Sequence, residues 1–405
     1  MKGAESTPRL KARLTASAEA AVRSGHPWVF AKSIREQNRL GQPGELAVLY
    51  DRKDRFLAVG LYDPESPIRV RVLEKGKPQA LDDAWWRARF ESTIKRREGL
   101  FDTQTTGFRW LNGESDGWPG LVLDNYDTNL VLKLYTAAWA PRLGEIIQVI
   151  TERLEPGRLI LRLSRNIQSE VSRLSDVHDG AVLAGPPLEG SVTFRESGLW
   201  FEADILRGQK TGFFLDQREN RRKVGGLASG RRLLNAFSFS GGFSVYAARG
   251  GAVAVTDLDI SAHALESARR NFNLNAAERA VVSCNHETVK ADAFEWLDSS
   301  PAKFDLIVLD PPSMARRETQ RSRAIAAYAR LARLGIQRLS AGGILVASSC
   351  SAHVTADEFF RATRTAAVKS RRRFKELETT RHAPDHPATF EAAQYLKTIY
   401  LSFSS

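Results

Sequence analysis

The chain has 405 residues, 42% of them hydrophobic, and 59 Lys+Arg against 47 Asp+Glu give a formal net charge of +12. That length exceeds one ordinary core and predicts two or three domains, and the basic surplus favours a polyanionic partner, nucleic acid ahead of anionic membrane. Only two cysteines occur, Cys284 and Cys350, with no Cys/His cluster and no apolar run of ~20 residues, which argues against a disulfide framework, a structural metal and a membrane span.

Met1–Pro8 lacks the apolar core of a secretory signal, so a cytoplasmic protein is expected. Residues 1–78 read as a small β-rich module, with strands at Gly44–Tyr50, Arg55–Tyr62 and Ile68–Leu73. In the last of these, Ile68, Val70 and Val72 alternate with Arg69 and Arg71, which places both arginines on one solvated face. Trp28 and Phe30, near the Gly25-His-Pro turn, are expected in the core. Aromatic and basic groups side by side suit RNA, which is read by stacking and phosphate contact, and make Arg69 and Arg71 RNA-binding candidates.

Gly76-Lys-Pro-Gln reads as a linker, and residues 79–190 as a small α+β middle domain. A helix over Asp82–Leu100 puts Trp86, Phe90 and Ile94 on one face. A turn-dense loop at 110–120, a hairpin from 121–126 and 130–135, a helix at Ile146–Leu154 and a strand at Gly157–Leu163 come next.

Residues 191–405 change character. Strands at 232–237, 252–257, 280–284, 306–310 and 343–348 alternate with helix-length segments, which predicts a doubly wound parallel α/β sheet, with Tyr395–Phe403 as a late antiparallel edge. The first strand runs into Asn235-Ala-Phe-Ser-Phe-Ser-Gly-Gly-Phe, where Gly241 and Gly242 let backbone approach a ligand. The turn lacks GxGxxG, so a dinucleotide site is not indicated. The second strand ends near Asp257 and Asp259, and an acid about 20 residues after the glycines suits a ribose diol. Either aspartate could serve; the capping role belongs to Ser261. Asp292, after the third strand, lies where an adenine amino group could be met. Cys284 is expected as a core residue of that strand.

The aliphatic run Leu306–Leu309 ends in Asp310-Pro-Pro-Ser313. Prolines stop a sheet strand and stiffen the loop after it, and an acid at that strand end sits where open α/β sheets bind ligands. The next strand ends in Ser348-Ser-Cys-Ser351. In C5 methylation of a pyrimidine, C5 is too weak a nucleophile until a thiolate adds to C6, and Cys350 is placed to be that thiolate.

Glycine turn, ribose acid, third-strand acid and Asp-Pro-Pro, in that order, resemble a class I S-adenosylmethionine methyltransferase. With Gly208–Arg221, Ser349-Cys-Ser and Asp385-His-Pro387 added, essentially the whole chain resembles the bacterial large-subunit ribosomal RNA cytosine-C5 methyltransferase family (the RlmI type). Gly25–Phe30 and Leu61–Arg71 resemble that family's PUA RNA-binding module, and Asn112–Leu121 the signature of its middle domain. The resemblance implies a Rossmann-like methyltransferase domain, S-adenosyl-L-methionine as cofactor, ribosomal RNA as partner and no metal. It makes Cys350 the nucleophile and Asp310 the acceptor-loop acid at the edge of the cofactor pocket. That pocket would be lined by Lys210, Thr211, Phe213, Asp216 and Arg218, and by Asn235, Phe237, Ser238, Gly241 and Gly242. Asp259, rather than Asp257, becomes the ribose acid, and Asp292 the acid near adenine. Ser240 stands where threonine is common, and Gln394 where the family has a glycine before Tyr-Leu-Lys. The strand-four loop holds no second thiol, so another group or water must remove the C5 proton, with Asp310 the candidate. Methylation of a base nitrogen such as guanine N7, and a non-catalytic RNA-binding or ribosome-assembly role, stay open, as does oligomeric state, a homodimer included.

Overall fold

A computed structural model describes residues 8–404; the N-terminal segment argued to lack a secretory signal falls, up to Thr7, outside the described residues. Two units are present: one runs to Val192 and takes in Ala203–Phe213, the other comprises Thr193–Glu202 and everything from Phe214 onward.

The first unit is built on two sheets. The six-stranded one contains Leu10–Leu14, Trp28–Phe30, Ile34–Gln37, Leu46–Tyr50, Phe56–Tyr62 and Ile68–Lys75, over a core that includes Leu10, Leu49, Tyr62 and Val70. The five-stranded one contains Gly107–Asn112, Leu121–Tyr126, Asn129–Leu134, Arg158–Leu163 and Val182–Ala184. Helix Asp83–Lys95 starts where Asp82 accepts a hydrogen bond from the Trp85 amide, and it buries Trp86, Phe90 and Ile94 with Trp118 and Trp139. Its apolar spacing of four residues is what aims all three at one core.

Three expectations fail in this unit. Arg71 is only 6% exposed, and its guanidinium lies 3.1 Å from Glu114 of the turn Gly113–Asp116, which covers that part of the strand face. Trp28 is half-buried and donates from Nε1 to Glu114 at 2.7 Å, while Phe30 is 37% exposed. The physical reason is alternation: Val29 is the residue of this short strand that faces the core, at 1% exposure, which turns Trp28 and Phe30 to the opposite face. Trp110 belongs to strand Gly107–Asn112 rather than to a loop.

The second unit is an α/β sheet of seven strands: β1 (Arg232–Ala236), β2 (Ala254–Asp259), β3 (Asn285–Lys290), β4 (Phe304–Leu309), β5 (Leu339–Ser349), β6 (Phe374–Thr380) and β7 (Lys397–Phe403). Their spatial order is β3-β2-β1-β4-β5-β7-β6. The first five are parallel, whereas β7 runs antiparallel to both β5 and β6. The accompanying helices are α1 (Arg218–Leu227), α2 (Gly242–Arg249), α3 (Ala262–Leu274), α4 (Arg279–Ser283), α5 (Ala293–Ser299), α6 (Arg321–Arg338) and α7 (Ala356–Lys369). This is a doubly wound, Rossmann-like arrangement. Register pairs Leu258 with Ala236, Ala236 with Leu309, and Leu309 with Ala347, so the chain leaves β1, β2, β4 and β5 at one end of the sheet.

Ala280–Cys284 is not a strand. Its residues form α4, with Cys284 as the buried cap, and the third strand is the polar segment Asn285–Lys290. As an outermost strand with half its residues exposed, β3 needs no aliphatic run. Nor is β7 an edge: β6 lies outside it. The second strand sits two residues later than expected, which makes Asp259 its last residue.

Candidate active site

At the end of β1 the buried Asn235 donates from Nδ2 to Asp257 at 2.9 Å and to the Ser244 hydroxyl at 3.1 Å. Asp257 also accepts from Ser244 at 2.6 Å and lies 2.9 Å from His286 Nε2. Asp257 is therefore a fully buried brace under the turn. Half-buried at the tip of β2, Asp259 accepts from the backbone amides of Phe239 at 3.0 Å and Ser261 at 2.8 Å. A carboxylate has about four acceptor positions, so two remain for a diol.

The turn itself is strained. Phe237, Phe239 and Gly241 have φ of 60°, 47° and 72°. At Gly241 a Cβ would come within 2.8 Å of the Ala268 Cβ and 3.0 Å of Asp257, so both the space and the left-handed backbone require glycine there. Gly242 opens α2. Asn235 Oδ1, Ser238 Oγ and Ser240 Oγ are buried without a hydrogen-bond partner. Strained backbone and unsatisfied buried polar atoms in one turn are the mark of a ligand cradle.

Asp292 has a structural duty beyond the one expected of it: it caps α5, accepting from the amides of Phe294 at 2.9 Å and Glu295 at 3.1 Å. Ser261 caps α3 as expected.

Lys210, Thr211 and Phe213 belong to the first unit. Thr211 donates to Asp124 at 2.6 Å, Tyr126 OH accepts from the Phe213 amide at 3.2 Å, and the Lys210 carbonyl accepts from Lys133 Nζ at 2.7 Å. Arg109 grips the same Asp124 with two bonds, 2.6 and 2.9 Å. Burial pushes the Lys133 ammonium down to about 8.

Asp216 and Arg218 belong to the second unit. Asp216 accepts from the Tyr395 hydroxyl at 2.9 Å. Arg218 makes a two-pronged contact with Asp385, 2.6 and 3.2 Å, both side chains being fully buried. Burial alone would raise the Asp385 carboxyl, but His386 and Arg218 outweigh it and hold the group well below the usual range. Next to this pair, the His382 imidazole is pushed down to about 4 by burial, and its Nε2 accepts from the Leu396 amide.

Asp310, at the tip of β4, accepts from Gln217 Nε2 at 2.9 Å. Cys350 follows β5 directly, half-buried, with Sγ 3.8 Å from the Pro311 carbonyl oxygen. One sulfur and one carboxylate thus stand at neighbouring strand tips. Ser351 fastens the two loops together. Its hydroxyl accepts from the amides of Met314 at 3.0 Å and Ala315 at 3.3 Å, and pairs with the hydroxyls of Ser313 at 3.1 Å and Tyr328 at 2.8 Å. The Asp-Pro-Pro loop is therefore held against the chain that carries the thiol.

Gln217, Ser351, Tyr395 and Lys397 do not stand out as site residues in the sequence. Gln217 and Ser351 lie inside the motifs Gly208–Arg221 and Ser348–Ser351, where they look like framing. Tyr395 and Lys397 sit in the Tyr-Leu-Lys signature, whose only visible peculiarity is the preceding Gln394.

A sheet of this order, with a glycine turn on β1 and acids on β2 and β4, defines an S-adenosylmethionine-dependent methyltransferase, and a family model of that description matches residues 168–401. A PUA-like domain model matches residues 12–75. The fold is shared with an S-adenosylmethionine-dependent methyltransferase from Streptococcus mutans (TM-score 0.82, 22% identity, 97% of this chain and 99% of that one). It is shared also with a methyltransferase complexed with SAH (TM-score 0.83, 23% identity, the same coverage). In sequence, the chain is 58% identical to the ribosomal RNA large subunit methyltransferase of Deinococcus radiodurans over 98% of each chain. It is 32% identical to ribosomal RNA large subunit methyltransferase I of Alteromonas mediterranea, over 95% of this chain and 96% of that one. The chain belongs to the ribosomal RNA large subunit methyltransferase I family, with S-adenosylmethionine as its cofactor. The unsatisfied Ser238, Ser240 and Asn235 atoms and the acid at Asp259 fit such a group, which brings an amino-acid end and a ribose diol.

Proposed function

We propose that this protein methylates C5 of a cytosine in large-subunit ribosomal RNA, in the cytoplasm, through a covalent adduct on Cys350. The observation that carries the reading is Cys350 Sγ against the Pro311 carbonyl, one residue beyond Asp310. The ribosomal target is supported by the names of the relatives at 58% and 32% identity and by the charge of +12. In this reading the module of residues 1–78 grips RNA, residues 79–190 help to position it, and the base is flipped to the strand tips of the domain at 191–405.

The chemistry follows from the residues. The Cys350 thiolate adds to C6, forming an S–C6 bond and moving an electron pair onto C5. That pair would bond C5 to the electrophilic methyl group that S-adenosylmethionine supplies when bound, the methyl parting from its sulfur, and the pair left by the C5–H bond is then the one that restores C5–C6. Asp310, its Oδ1 fixed by Gln217, holds the base edge and then takes the C5 proton; the electron pair closes the C5–C6 bond and the sulfur leaves as thiolate. Asp259 holds the ribose diol, Asp292 meets the adenine, and Asn235, Ser238 and Ser240 hold the amino-acid end. Asp216, Arg218, Phe237, Gly241 and Gly242, all of the second unit, shape the walls of the pocket.

RNA carrying 5-fluorocytosine tests the reading, because fluorine at C5 cannot leave as a proton and the adduct persists. The wild-type protein with cofactor should give a covalent protein–RNA species, and Cys350→Ala should give none while losing about 10⁴-fold or more in turnover. Full activity in Cys350→Ala, with mass analysis placing the methyl on a base nitrogen, would overturn it.

A further inference from the structure

Lys397 begins β7, faces Ser349 of β5 across the antiparallel register, and is fully buried. Its Nζ donates to the carbonyls of Ser351 and Val354, each at 2.5 Å. The two carbonyls take two of the three N–H bonds and do not cancel the charge. An ammonium taken out of water is costly unless an anion stands near it. Among the described residues no carboxylate makes an ion pair with Lys397. Four ionisable groups among the described residues bear on it: Cys350 after β5, Glu358 on α7, and Arg381 and His382 between β6 and β7. Glu358 is committed to Arg321, 2.6 Å away, and to the start of its own helix. Arg381 is a cation, and the low-lying His382 stays neutral at ordinary pH. The thiol is the remaining source of negative charge. Burial pushes the Lys397 ammonium down to about 8, and the strongest opposing pull comes from Cys350.

We propose that Lys397 is the counter-ion of the Cys350 thiolate, a positioning residue that keeps the sulfur ionised and, through the Ser351 carbonyl, fixes the chain that aims it. The consequence for catalysis rests on the Cys350 adduct proposed above; the pairing itself does not. A lysine that only tied two carbonyls together would leave the titration of the thiol where it was. The counter-ion lowers it, so the two roles separate on a pH profile.

The experiment follows alkylation of Cys350 by iodoacetamide against pH, read peptide by peptide. Cys284 is the internal control, since burial pushes its thiol up to about 11. Lys397→Met should move the Cys350 midpoint upward by about one unit and slow its alkylation at neutral pH about tenfold, and Lys397→Arg should move it back. An unmoved midpoint in folded Lys397→Met overturns the proposal. Should that variant not fold, the reciprocal titration decides. In Cys350→Ser the Lys397 Cε resonance should titrate about one unit lower than in the wild type, and an unchanged titration overturns the proposal equally. Neither measurement needs RNA or cofactor. A shifted midpoint with no 5-fluorocytosine adduct leaves the pair standing and removes the cytosine reading; an adduct with an unmoved midpoint does the reverse.

Discussion

At the tips of β1 and β2, Asn235 Oδ1, Ser238 Oγ and Ser240 Oγ are buried with nothing to bond, whereas beside β4, β5 and β7 the Ser351 hydroxyl alone engages four groups and Lys397 two carbonyls. Each unsatisfied buried group costs about 1–3 kcal/mol, so the first set is tolerable only where binding recovers the loss. The second set returns nothing to a ligand; it immobilises a sulfur and a carboxylate. Along this one edge of the sheet, the β1–β2 end of the row of strand tips is left unsatisfied and the β4–β5–β7 end is braced, which is what the proposed cofactor pocket and the proposed reacting pair require.

The largest effect should come from breaking a brace. Asp385→Asn takes the two-pronged carboxylate from the buried Arg218 guanidinium, leaving it Glu219 at 3.2 Å, and a buried ion pair losing one partner costs about 3–5 kcal/mol, readable as a lowered denaturation midpoint. The pH dependence has a definite sign. The Asp385 carboxyl is depressed in the folded state, so its stabilisation is complete above the unfolded value of about 3.9 and is lost progressively as pH falls below it. Wild type and variant should therefore converge in acid and stay apart at neutral pH; a gap independent of pH would deny the pair its electrostatic role.

The open end should respond in the opposite manner. Ser238→Ala removes a buried hydroxyl that bonds nothing, so folding stability should stay the same or rise by up to about 1 kcal/mol. Cofactor affinity by calorimetry should fall about tenfold, the value of one hydrogen bond of about 1.4 kcal/mol. A variant that lost stability and kept its affinity would erase the contrast between the two ends.

The braced end is the more legible of the two in sequence, for a physical reason. Leu306–Leu309 is buried on both faces and reads as an unbroken aliphatic run, and two prolines mark its end, so the residue types alone put Asp310 at a strand tip. The same rule misleads at the third strand. Ala280–Cys284 is aliphatic because α4 buries one side of it, while the true strand, Asn285–Lys290, is an exposed edge whose polar residues imitate a loop. Asp292 can be found in the sequence but not fully understood there, because a cap and a ligand acid look alike in one dimension. Lys397 is invisible as a partner of Cys350, since antiparallel pairing of β5 with a strand nearly fifty residues later is a tertiary fact.

The contrast between satisfied and open charge recurs on a single strand of the first unit, and there it predicts the smallest effects. Period-two alternation gives Arg69 and Arg71 the same face, yet Glu114 takes up Arg71, while Arg69 stays half-exposed with its guanidinium 6.0 Å from the Tyr62 ring centre. Arg71→Ala leaves Glu114 in a mostly buried site and should lower stability by about 1–3 kcal/mol. Arg69→Ala should leave stability within about 0.5 kcal/mol. If Arg69 meets a phosphate, its loss weakens RNA binding only a few-fold, but it lowers the slope of log affinity against log salt by about one, uniformly across sequences. Binding measured at several salt concentrations separates the two arginines. A slope that falls with Arg71→Ala and not with Arg69→Ala would mean that the Glu114 pair opens to RNA, and the guanidinium now counted as structural would be the one that reads the backbone.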